Sequence, residues 1–239
     1  NPFLRHEFLS NLESSGCVCA ETGWEPRHIL IWRGASLVGA MPLYLKHHSY
    51  GEYIFDWAWA DAYHRHGLNY YPKLSSAIPF TPVSGARLLS DDASICAMLT
   101  SAALTLAKET QVSSLHILYP TGIQAESLKS AGFMLRNSTQ FHWHNRSYDT
   151  FDTFLAEMSH DKRKRIKQER RKLAEQDIRF EILEGAEISA ADWQFFNRCY
   201  RTTYQLHHSS PYLNLEFFLS LGRDMPENVV MIKALKDGR

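Results

Sequence analysis

The chain has 239 residues, of which 44% are hydrophobic and 22% are charged, proportions typical of a globular α/β protein with one large domain or two small ones. Lys and Arg together number 26, as do Asp and Glu, so the overall charge gives no argument for a nucleic-acid partner. The longest run without a charged residue, residues 110–125, is shorter than a membrane helix of roughly twenty apolar residues, and no signal peptide opens the chain. The four cysteines lack CxxC spacing and are few for a disulfide scaffold, which favours a cytoplasmic protein.

The first part of the chain alternates helical and strand patterns. We predict a helix after Pro2 and a hairpin of strands at residues 29–32 and 37–45, with Gly34 in its turn. A further strand is predicted at residues 53–59. The sequence therefore opens with a helix that leads into a sheet.

The next segment has the pattern of a βαβ crossover. Ser90 or Asp91 is expected to cap a helix whose apolar residues recur at helical spacing. A short strand at residues 115–119 follows this helix. We therefore expect the strands on either side of the helix to run parallel.

The remaining elements complete one unit and begin another. Thr121 and Gln124 have the spacing of a capping box, which predicts a second helix, and one or two strands follow at residues 133–145. A strand at residues 178–183 and an aromatic-rich helix at residues 190–204 are then predicted.

The most informative pattern is an internal repeat. The sequence PFLRHEF at residues 2–8 returns as PYLNLEF at residues 211–217, with four identical residues and one exchange of Phe for Tyr. Each copy begins a predicted helix, and an apolar strand then runs into a glycine, Gly34 in the first case and Gly238 in the second. The shared order predicts a duplicated unit, and two unrelated helix-hairpin units are the alternative.

The order of elements in the first copy is similar to that of the GNAT acyltransferase fold after its first strand and helix. Those two elements are present only in the second copy, so we expect about thirty residues of the first unit to be missing before Asn1. The second copy is expected to be cut at Arg239, inside its hairpin. The predicted fold class is α/β, a tandem GNAT-like fold with a nearly complete first copy and a truncated second copy. The predicted domains are a first lobe at residues 1–148, basic connecting helices at 149–177 and the start of a second lobe at 178–239.

Four motifs carry a resemblance to a family: NPFLRHEFL at residues 1–9, GAMPLYLK at 39–46, FDWAWADAY at 55–63 and QFHWHN at 140–145. They are similar to a bacterial FemAB-like GNAT family labelled peptidoglycan biosynthesis or recognition, over essentially the whole chain. The resemblance implies an architecture similar to the Fem transferases, which move amino acids from aminoacyl-tRNA onto peptidoglycan precursors. It implies a cell-wall precursor or another small amine acceptor as partner, with tRNA as a candidate second partner. Acyl-CoA and aminoacyl-tRNA are the candidate donors, and no cofactor is expected in this fragment.

Three clusters could carry chemistry, and the first is the long connection at residues 56–87. Aromatic side chains alternate there with a carboxylate, imidazoles and cations, the mixture expected where a polar substrate is held and a proton is moved. Asp61 and His64 are the candidate proton handlers, and a structural Ω-loop that packs its own aromatic residues is the alternative. The candidate substrate-binding residues of this connection are Trp57, Trp59, Tyr63, Arg65, Tyr71, Lys73, Phe80 and Thr81.

The second cluster is the predicted QFHWHN strand. A period of two places Gln140, His142 and His144 on one face, with Trp143 on the other. Two histidines at this spacing could bind zinc, but no third ligand is indicated and no metal is predicted.

We predict His142 and His144 as further proton handlers, because a neutral imidazole can accept a proton from an attacking amine. They are expected to face the space between the two copies, partly desolvated, and to share one groove with residues 56–73. Gln140, Trp143, Tyr204 and Tyr212 complete the predicted substrate-binding set.

The third cluster is the run KRKRIKQERRK at residues 162–172, in which eight cations accompany one carboxylate. Ser159 can cap this helix. The run is interpreted either as a solvated helix that joins the copies or as a phosphate-facing patch for tRNA or an undecaprenyl-linked precursor, and the resemblance favours the patch. The candidate polyanion-binding residues are Lys162, Arg163, Lys164 and Lys167.

The usual acetyl-CoA loop of GNAT enzymes, Gln/Arg-x-x-Gly-x-Gly/Ala, is absent from the sequence. A CoA donor would therefore have to bind in the missing end of the second copy. What the resemblance implies is an acyl- or aminoacyl-transferase that acts on a cell-wall precursor or a related amine. A non-catalytic module that binds peptidoglycan fragments or a polyanion is the alternative, which the absent loop favours.

Overall fold

The computed structural model describes residues 1–176 and 178–236 of a mixed α/β chain. The helices are α1 His6–Ser14, α2 Trp57–Arg65, α3 Ala93–Glu109, α4 Gly122–Ser130, α5 Phe151–Ala156, α6 His160–Ala174, α7 Ala190–Leu206 and α8 Leu215–Asp224. The strands are β1 Trp24–Pro26, β2 Ile29–Arg33, β3 Ser36–Met41, β4 Tyr44–Lys46, β5 Lys73–Ser76, β6 Leu115–Ile117, β7 Ile178–Glu184 and β8 Val230–Lys236. Within these residues, no helix combines the length and the apolar character needed to cross a membrane.

The central sheet has the strand order β1-β4-β5-β6. Strand β4 runs antiparallel to both of its neighbours, and β5 runs parallel to β6, with α3 in the connection between them. This is the predicted βαβ crossover, although its first strand is β5. The helix is capped by Asp92 instead of Ser90 or Asp91, because the Asp92 carboxylate accepts a hydrogen bond from the Ser94 N–H at 2.8 Å.

The predicted strand at residues 53–59 is wrong, because helix α2 begins at Trp57. Alanines at alternate positions of WAWADAYHR favour a helix, and an ion pair joins Asp61 to Arg65 one turn later. The place beside β4 in the sheet is taken by β5, which is buried at every position.

The predicted strands at residues 133–145 are also wrong, since this segment forms no ladder and is irregular throughout. Side-chain bonds hold it instead: Arg136 binds Asp56 at 2.9 Å, and Gln140 donates to the Pro82 carbonyl at 2.7 Å. The alternation of two faces that a strand would impose does not apply here, because no neighbouring strand fixes the segment.

The hairpin around Gly34 is confirmed, and this glycine has the positive φ of 60° that its turn requires. The second predicted strand, residues 37–45, is divided at Pro42 into β3 and β4, which belong to different sheets. Proline has no N–H for a ladder, so a continuous strand is disfavoured there.

The two copies of the repeated motif behave alike at their helices. Helix α1 begins at His6 and α8 begins at Leu215, the same position in each copy, and each helix precedes a strand. The second predicted turn residue, Gly238, lies outside the described residues. The predicted strand and helix at residues 178–183 and 190–204 are confirmed as β7 and α7.

Two groups of buried side chains form the core. One packs the β2–β3 hairpin and α3 against the central sheet, with Met41, Leu74 and Leu99 at its centre. The other joins α1 to α7 and α8 through Phe8, Trp193 and other apolar residues. This second group takes residues from both predicted lobes, so burial of apolar surface holds the two parts of the chain together.

Candidate functional site

A cleft of about 530 Å³ opens where the first part of the chain meets the segment that precedes α8. Phe80 from one side and Tyr212 from the other stack directly on each other with ring centroids 4.9 Å apart, and Tyr204 lies edge-on to Tyr212 at 6.0 Å. Aromatic rings therefore join the two sides of the cleft. The lining residues are Cys17, Thr22, Trp24, His48, Tyr50 and Phe80 on one side and Tyr204, His208, Ser209, Ser210, Pro211 and Tyr212 on the other.

One wall of the cleft depends on a close backbone approach at Gly51. This residue has φ of 80°, and its carbonyl accepts a hydrogen bond from the Phe80 N–H at 3.1 Å. A Cβ atom at this position would lie 2.6 Å from the Phe80 ring and 3.2 Å from the Trp24 indole nitrogen. Phe80 itself has φ of 58°, an uncommon conformation for a bulky residue, so the wall is held in a strained geometry.

Two imidazoles line the cleft, and they differ in their hydrogen bonding. His48 accepts a hydrogen bond from the Tyr50 N–H at 3.2 Å, so its other nitrogen carries the proton and donates to the Thr22 carbonyl at 3.1 Å. Burial lowers the pKa of His48 and keeps the ring neutral. His208 is exposed and makes no side-chain hydrogen bond to the described residues.

A buried ionic cluster lies behind this wall. The Lys73 ammonium donates to Asp56 at 2.6 Å, to Glu52 at 2.8 Å and to the Ser49 hydroxyl at 3.4 Å, and all four side chains are buried. Three residues of one loop are therefore fastened to strand β5. We call residues 49–59, which end in the first turn of α2, the anchored loop.

Lys46 and Lys73 stand directly opposite each other on β4 and β5, and neither is exposed. The Lys46 amine lies 3.5 Å from the centroid of the Trp24 ring and donates to the Tyr50 carbonyl at 3.3 Å. Burial lowers the pKa of Lys46 to about 6, and the nearby Lys73 charge adds to this effect, while Glu52 opposes it. Lys46 is consequently neutral at pH 7, which removes the repulsion expected between facing cations.

Asp56 is itself buried, but it links the cluster to Arg136, whose side chain is half-exposed. Burial would raise its pKa, but hydrogen bonds from Lys73 and from the half-exposed Arg136 outweigh burial and hold the pKa at about 2. Close by, burial lowers the pKa of His116 to about 4, with a further contribution from Lys73. Asp56 is thus a fixed negative charge beside a neutral imidazole.

The structure brings three of the predicted substrate-binding residues, Phe80, Tyr204 and Tyr212, into the cleft. Lys73 has no exposed surface and three protein acceptors, so it supports the site from behind and does not contact a ligand. Tyr71 likewise shares a hydrogen bond with Ser49 at 2.7 Å.

The other predicted residues lie outside the cleft lining. Trp57, Trp59 and Tyr63 lie on α2 with Asp61, Arg65 and His64, where Asp61 and Arg65 pair with each other in solvent. Thr81 bonds to the Pro79 carbonyl, Gln140 bonds to the Pro82 carbonyl, and Trp143 packs beside Tyr148 and Phe154. None of the four predicted proton handlers lines the cleft among the residues that the structure describes.

The expected desolvation of His142 and His144 is wrong. Both imidazoles are exposed, because the segment that carries them joins no sheet. Their rings stack on each other at 6.4 Å, and His142 bonds to Gln140 at 3.3 Å. Their roles in proton transfer stay a prediction.

The basic helix α6 has no buried residue, and Lys164, Lys167, Gln168 and Arg171 line a hollow of about 350 Å³ on its surface. Near its start Lys162 is exposed, while Arg163 is half-buried and donates to the Ala156 carbonyl at 3.4 Å. Helix α6 begins after Ser159 as expected, but the Ser159 hydroxyl makes no capping bond.

Sequence reasoning missed the residues that hold the site. Lys46, Glu52 and Arg136 have no spacing signal, because their partners are brought together only by the sheet. His208 lies three residues before the repeated PYLNLEF motif, a position that could have drawn attention to it.

Fold and site together define an α/β protein with an aromatic cleft between two parts of the chain and a separate basic helix. The FemAB-like family, described as peptidoglycan biosynthesis/recognition, matches residues 1–239, and the chain belongs to this family. Membership supports a role related to peptidoglycan. Among solved structures, the chain is similar to the crystal structure of FemX at 12% identity and a TM-score of 0.45, covering 96% of this chain and 51% of that chain. The chain thus spans about half the length of that FemX chain. No curated protein matches the chain significantly.

Proposed function

We propose that the protein is an acyl- or aminoacyl-transferase of the FemAB-like type that binds a cell-wall precursor in the aromatic cleft. The observation that carries the proposal is this cleft, with walls from both ends of a chain that belongs to a peptidoglycan family. Its volume of about 530 Å³ lies in the range of small-ligand sites. Aromatic rings with a few hydroxyl and imidazole groups suit a glycopeptide, which presents both apolar and hydrogen-bonding faces.

The reaction is the formation of an amide. The amine nitrogen of the acceptor attacks the carbonyl carbon of an aminoacyl ester or an acyl thioester, and the C–O or C–S bond of the donor breaks. The attacking nitrogen loses one proton and the departing oxygen or sulfur takes one up, so a group that accepts and returns a proton suffices. His208 is the proposed group, because it lines the cleft with a free imidazole. Asp61, His64, His142 and His144 are the alternative acceptors that the sequence predicts.

We also propose that the chain consists of two GNAT-like lobes, at residues 1–148 and 178–239, joined by helices at 149–177. Support comes from the contact between α1 and α8. Phe8 and Phe217, equivalent residues of the repeat, meet edge to face at 5.7 Å.

The residues that precede these helices support the same proposal. Arg5 and Asn214 are equivalent in the repeat, and each reaches past the end of the other helix. Arg5 bonds to Asn228 at 3.1 Å and pairs with Glu227, while Asn214 donates to the Ser15 carbonyl at 2.7 Å. Such reciprocal contacts are typical of two related units around a local two-fold axis.

Helix α6 is proposed to bind a polyanion, either tRNA or a phosphate-bearing precursor. Most of its cations are exposed and all are closely spaced, so binding would release counterions and weaken with salt. Changing Lys162, Arg163, Lys164 and Lys167 to Gln should leave folding intact and reduce both the affinity for tRNA and its salt dependence. Unchanged affinity and salt dependence would make α6 a solvated connection.

A non-catalytic binding module is the second candidate. It is favoured because the predicted proton handlers lie outside the cleft lining and both nitrogens of His48 are already bonded. In this case the cleft holds a peptidoglycan fragment without turnover.

Transfer from labelled aminoacyl-tRNA or acetyl-CoA to a muramyl peptide, measured on the full chain, separates the two candidates. Binding of the muramyl peptide should fall at least about fivefold in Tyr212→Ala, since a stacked aromatic pair adds about 1 kcal/mol beyond burial. The control is Trp32→Ala, because Trp32 is an exposed aromatic residue on β2 outside the cleft. Binding without transfer favours the module, and a failure to bind any muramyl peptide refutes both candidates.

A further inference from the structure

The anchored loop displays aromatic side chains outward in a regular pattern. Tyr50, Tyr53, Phe55, Trp57 and Trp59 each expose 46 to 51% of their surface. Tyr50, Tyr53 and Phe55 lie between the buried residues that Lys73 holds, and Trp57 and Trp59 follow the last of these.

This arrangement has a cost that packing alone does not explain. Large aromatic side chains stabilise a fold when they are buried, yet here the buried positions are given to Ser49, Glu52 and Asp56. Tyr53 adds backbone strain, since its φ is 58°. Contiguous exposed apolar surface of this kind marks an interaction site.

The exposed aromatic side chains of the anchored loop adjoin the cleft. Tyr50 lines the cleft and also meets Trp57 edge to face at 5.3 Å, and Trp57 in turn stacks on Phe55 with the rings parallel to within 5°. Trp59 lies beside Arg136, whose guanidinium carbon is 6.0 Å from the ring centroid. An aromatic track of Tyr50, Trp57 and Phe55 therefore leads out of the cleft, and Trp59 adds a second exposed indole further along α2.

The charges around this track disfavour an anionic membrane. Arg136 is bonded to Asp56, and Arg65 is paired with Asp61, so both nearby guanidinium groups already have a carboxylate partner. A polybasic patch, which strengthens binding to anionic lipids, is missing from the described residues of the loop and α2. The track instead offers ring faces with scattered hydrogen-bonding groups, the surface on which the C–H faces of sugar rings pack.

We propose that the anchored loop is a glycan platform that extends the cleft, so that the ligand is a polymeric sugar strand longer than the cleft itself. This inference rests on the proposed binding of a cell-wall ligand in the cleft. The sugar rings beyond the cleft stack on Trp57 and Trp59, and Tyr50 joins the two parts of the site.

The test compares chitobiose with chitohexaose, whose N-acetylglucosamine units are also a component of peptidoglycan, by calorimetry on the full chain. Chitohexaose should bind more tightly than chitobiose, and Trp57→Ala with Trp59→Ala should remove about a fivefold advantage per stacked ring while leaving chitobiose binding unchanged. Trp32→Ala, at an equally exposed tryptophan, should change neither affinity. Circular dichroism of each variant checks that it is folded.

Equal affinities for the two sugars, or a chitohexaose affinity that the Trp57 and Trp59 changes leave intact, would overturn the platform. Binding to phosphatidylglycerol vesicles or dimerisation that depends on Trp57 would overturn it in favour of a lipid surface or a second copy. The proposed cleft is tested separately by Tyr212→Ala: loss of chitobiose binding there would uphold the cleft even if the platform fails. If neither sugar binds, the platform is refuted, while muramyl-peptide binding still decides the proposed function.

Discussion

The end of the anchored loop, residues 53–59, and the end of the segment at residues 133–145 look alike in sequence, since each has aromatic residues at alternate positions and each predicts a strand. Neither is a strand, yet they differ in how they are held. The anchored loop is fastened by Lys73 through three hydrogen bonds in a buried cluster, while the segment lies exposed along most of its length. The difference teaches that charged residues in the sheet, and not the aromatic pattern, decide which polar segment becomes a fixed surface.

Arg136 and Gln140 join the two regions. Arg136 belongs to the exposed segment and bonds to Asp56 of the anchored loop, and Gln140 bonds to the Pro82 carbonyl. The segment is therefore held in place by its hydrogen bonds to the anchored loop and to the chain near the cleft.

The largest effect is expected for Lys73→Met. The change leaves Glu52 and Asp56 buried with one partner fewer, which should lower the free energy of unfolding by about 3–5 kcal/mol in urea denaturation. The control is Lys162→Met on exposed α6, with an expected change within about 0.5 kcal/mol. Equal losses in the two variants would show that the cluster does not fix the loop.

The second effect concerns pH, through the neutral Lys46 behind the cleft wall. Its pKa falls from 10.5 in the unfolded chain to about 6 on folding, so between these values the unfolded state binds more protons. Stability from this group therefore rises with pH across that window, by at most about 1.4 kcal/mol per pH unit.

Lys46→Met should remove this part of the rise, because methionine does not titrate. The measurement is the difference in unfolding free energy between wild type and variant across the same pH window, with exposed Lys129→Met as control. A constant difference from pH 6 upward would mean that the folded protein keeps Lys46 charged.

A smaller effect is expected for Gly51→Ala. The new methyl group would press on Phe80 and Trp24 at a residue with φ of 80°, which should cost about 1–3 kcal/mol and weaken muramyl-peptide binding. Gly122→Ala is the matched control, since nothing lies within 4 Å of its Cβ position and its φ is ordinary. If Gly51→Ala binds the muramyl peptide normally, the close approach of Gly51 to Phe80 is not needed for ligand recognition.

The smallest effect on stability is expected for His142→Asn combined with His144→Asn. Both residues are exposed, so the free energy of unfolding should change by less than about 0.5 kcal/mol. Transfer should be abolished if these histidines move the proton, as the sequence predicts, and His208→Asn is the comparison within the cleft. If transfer is unchanged in the double variant and lost in His208→Asn, the residue that accepts the proton is His208 in the cleft.

Much of the fold followed from local patterns. The hairpin around Gly34, the crossover through α3, the basic helix and the equivalent starts of α1 and α8 all depend on residues close in sequence. The site was less accessible to prediction: Phe80, Tyr204 and Tyr212 do line the cleft, but Lys73 was assigned to the substrate and is buried. An alternating pattern indicates a strand only where a neighbouring strand is available to pair with it. This is why the strands predicted at residues 53–59 and 133–145 are wrong.

The sequence by itself determined the family, through four motifs within residues 1–145, and the order of most elements, because capping residues, turn glycines and apolar periods act within a few residues. Only the tertiary structure decided where the charges go. Lys46 and Lys73 face each other because β4 and β5 pair in one register, and the ends of the chain form one cleft because α1 packs on α8. Such contacts join residues far apart in sequence, so their energies depend on the whole fold and leave no trace in local spacing.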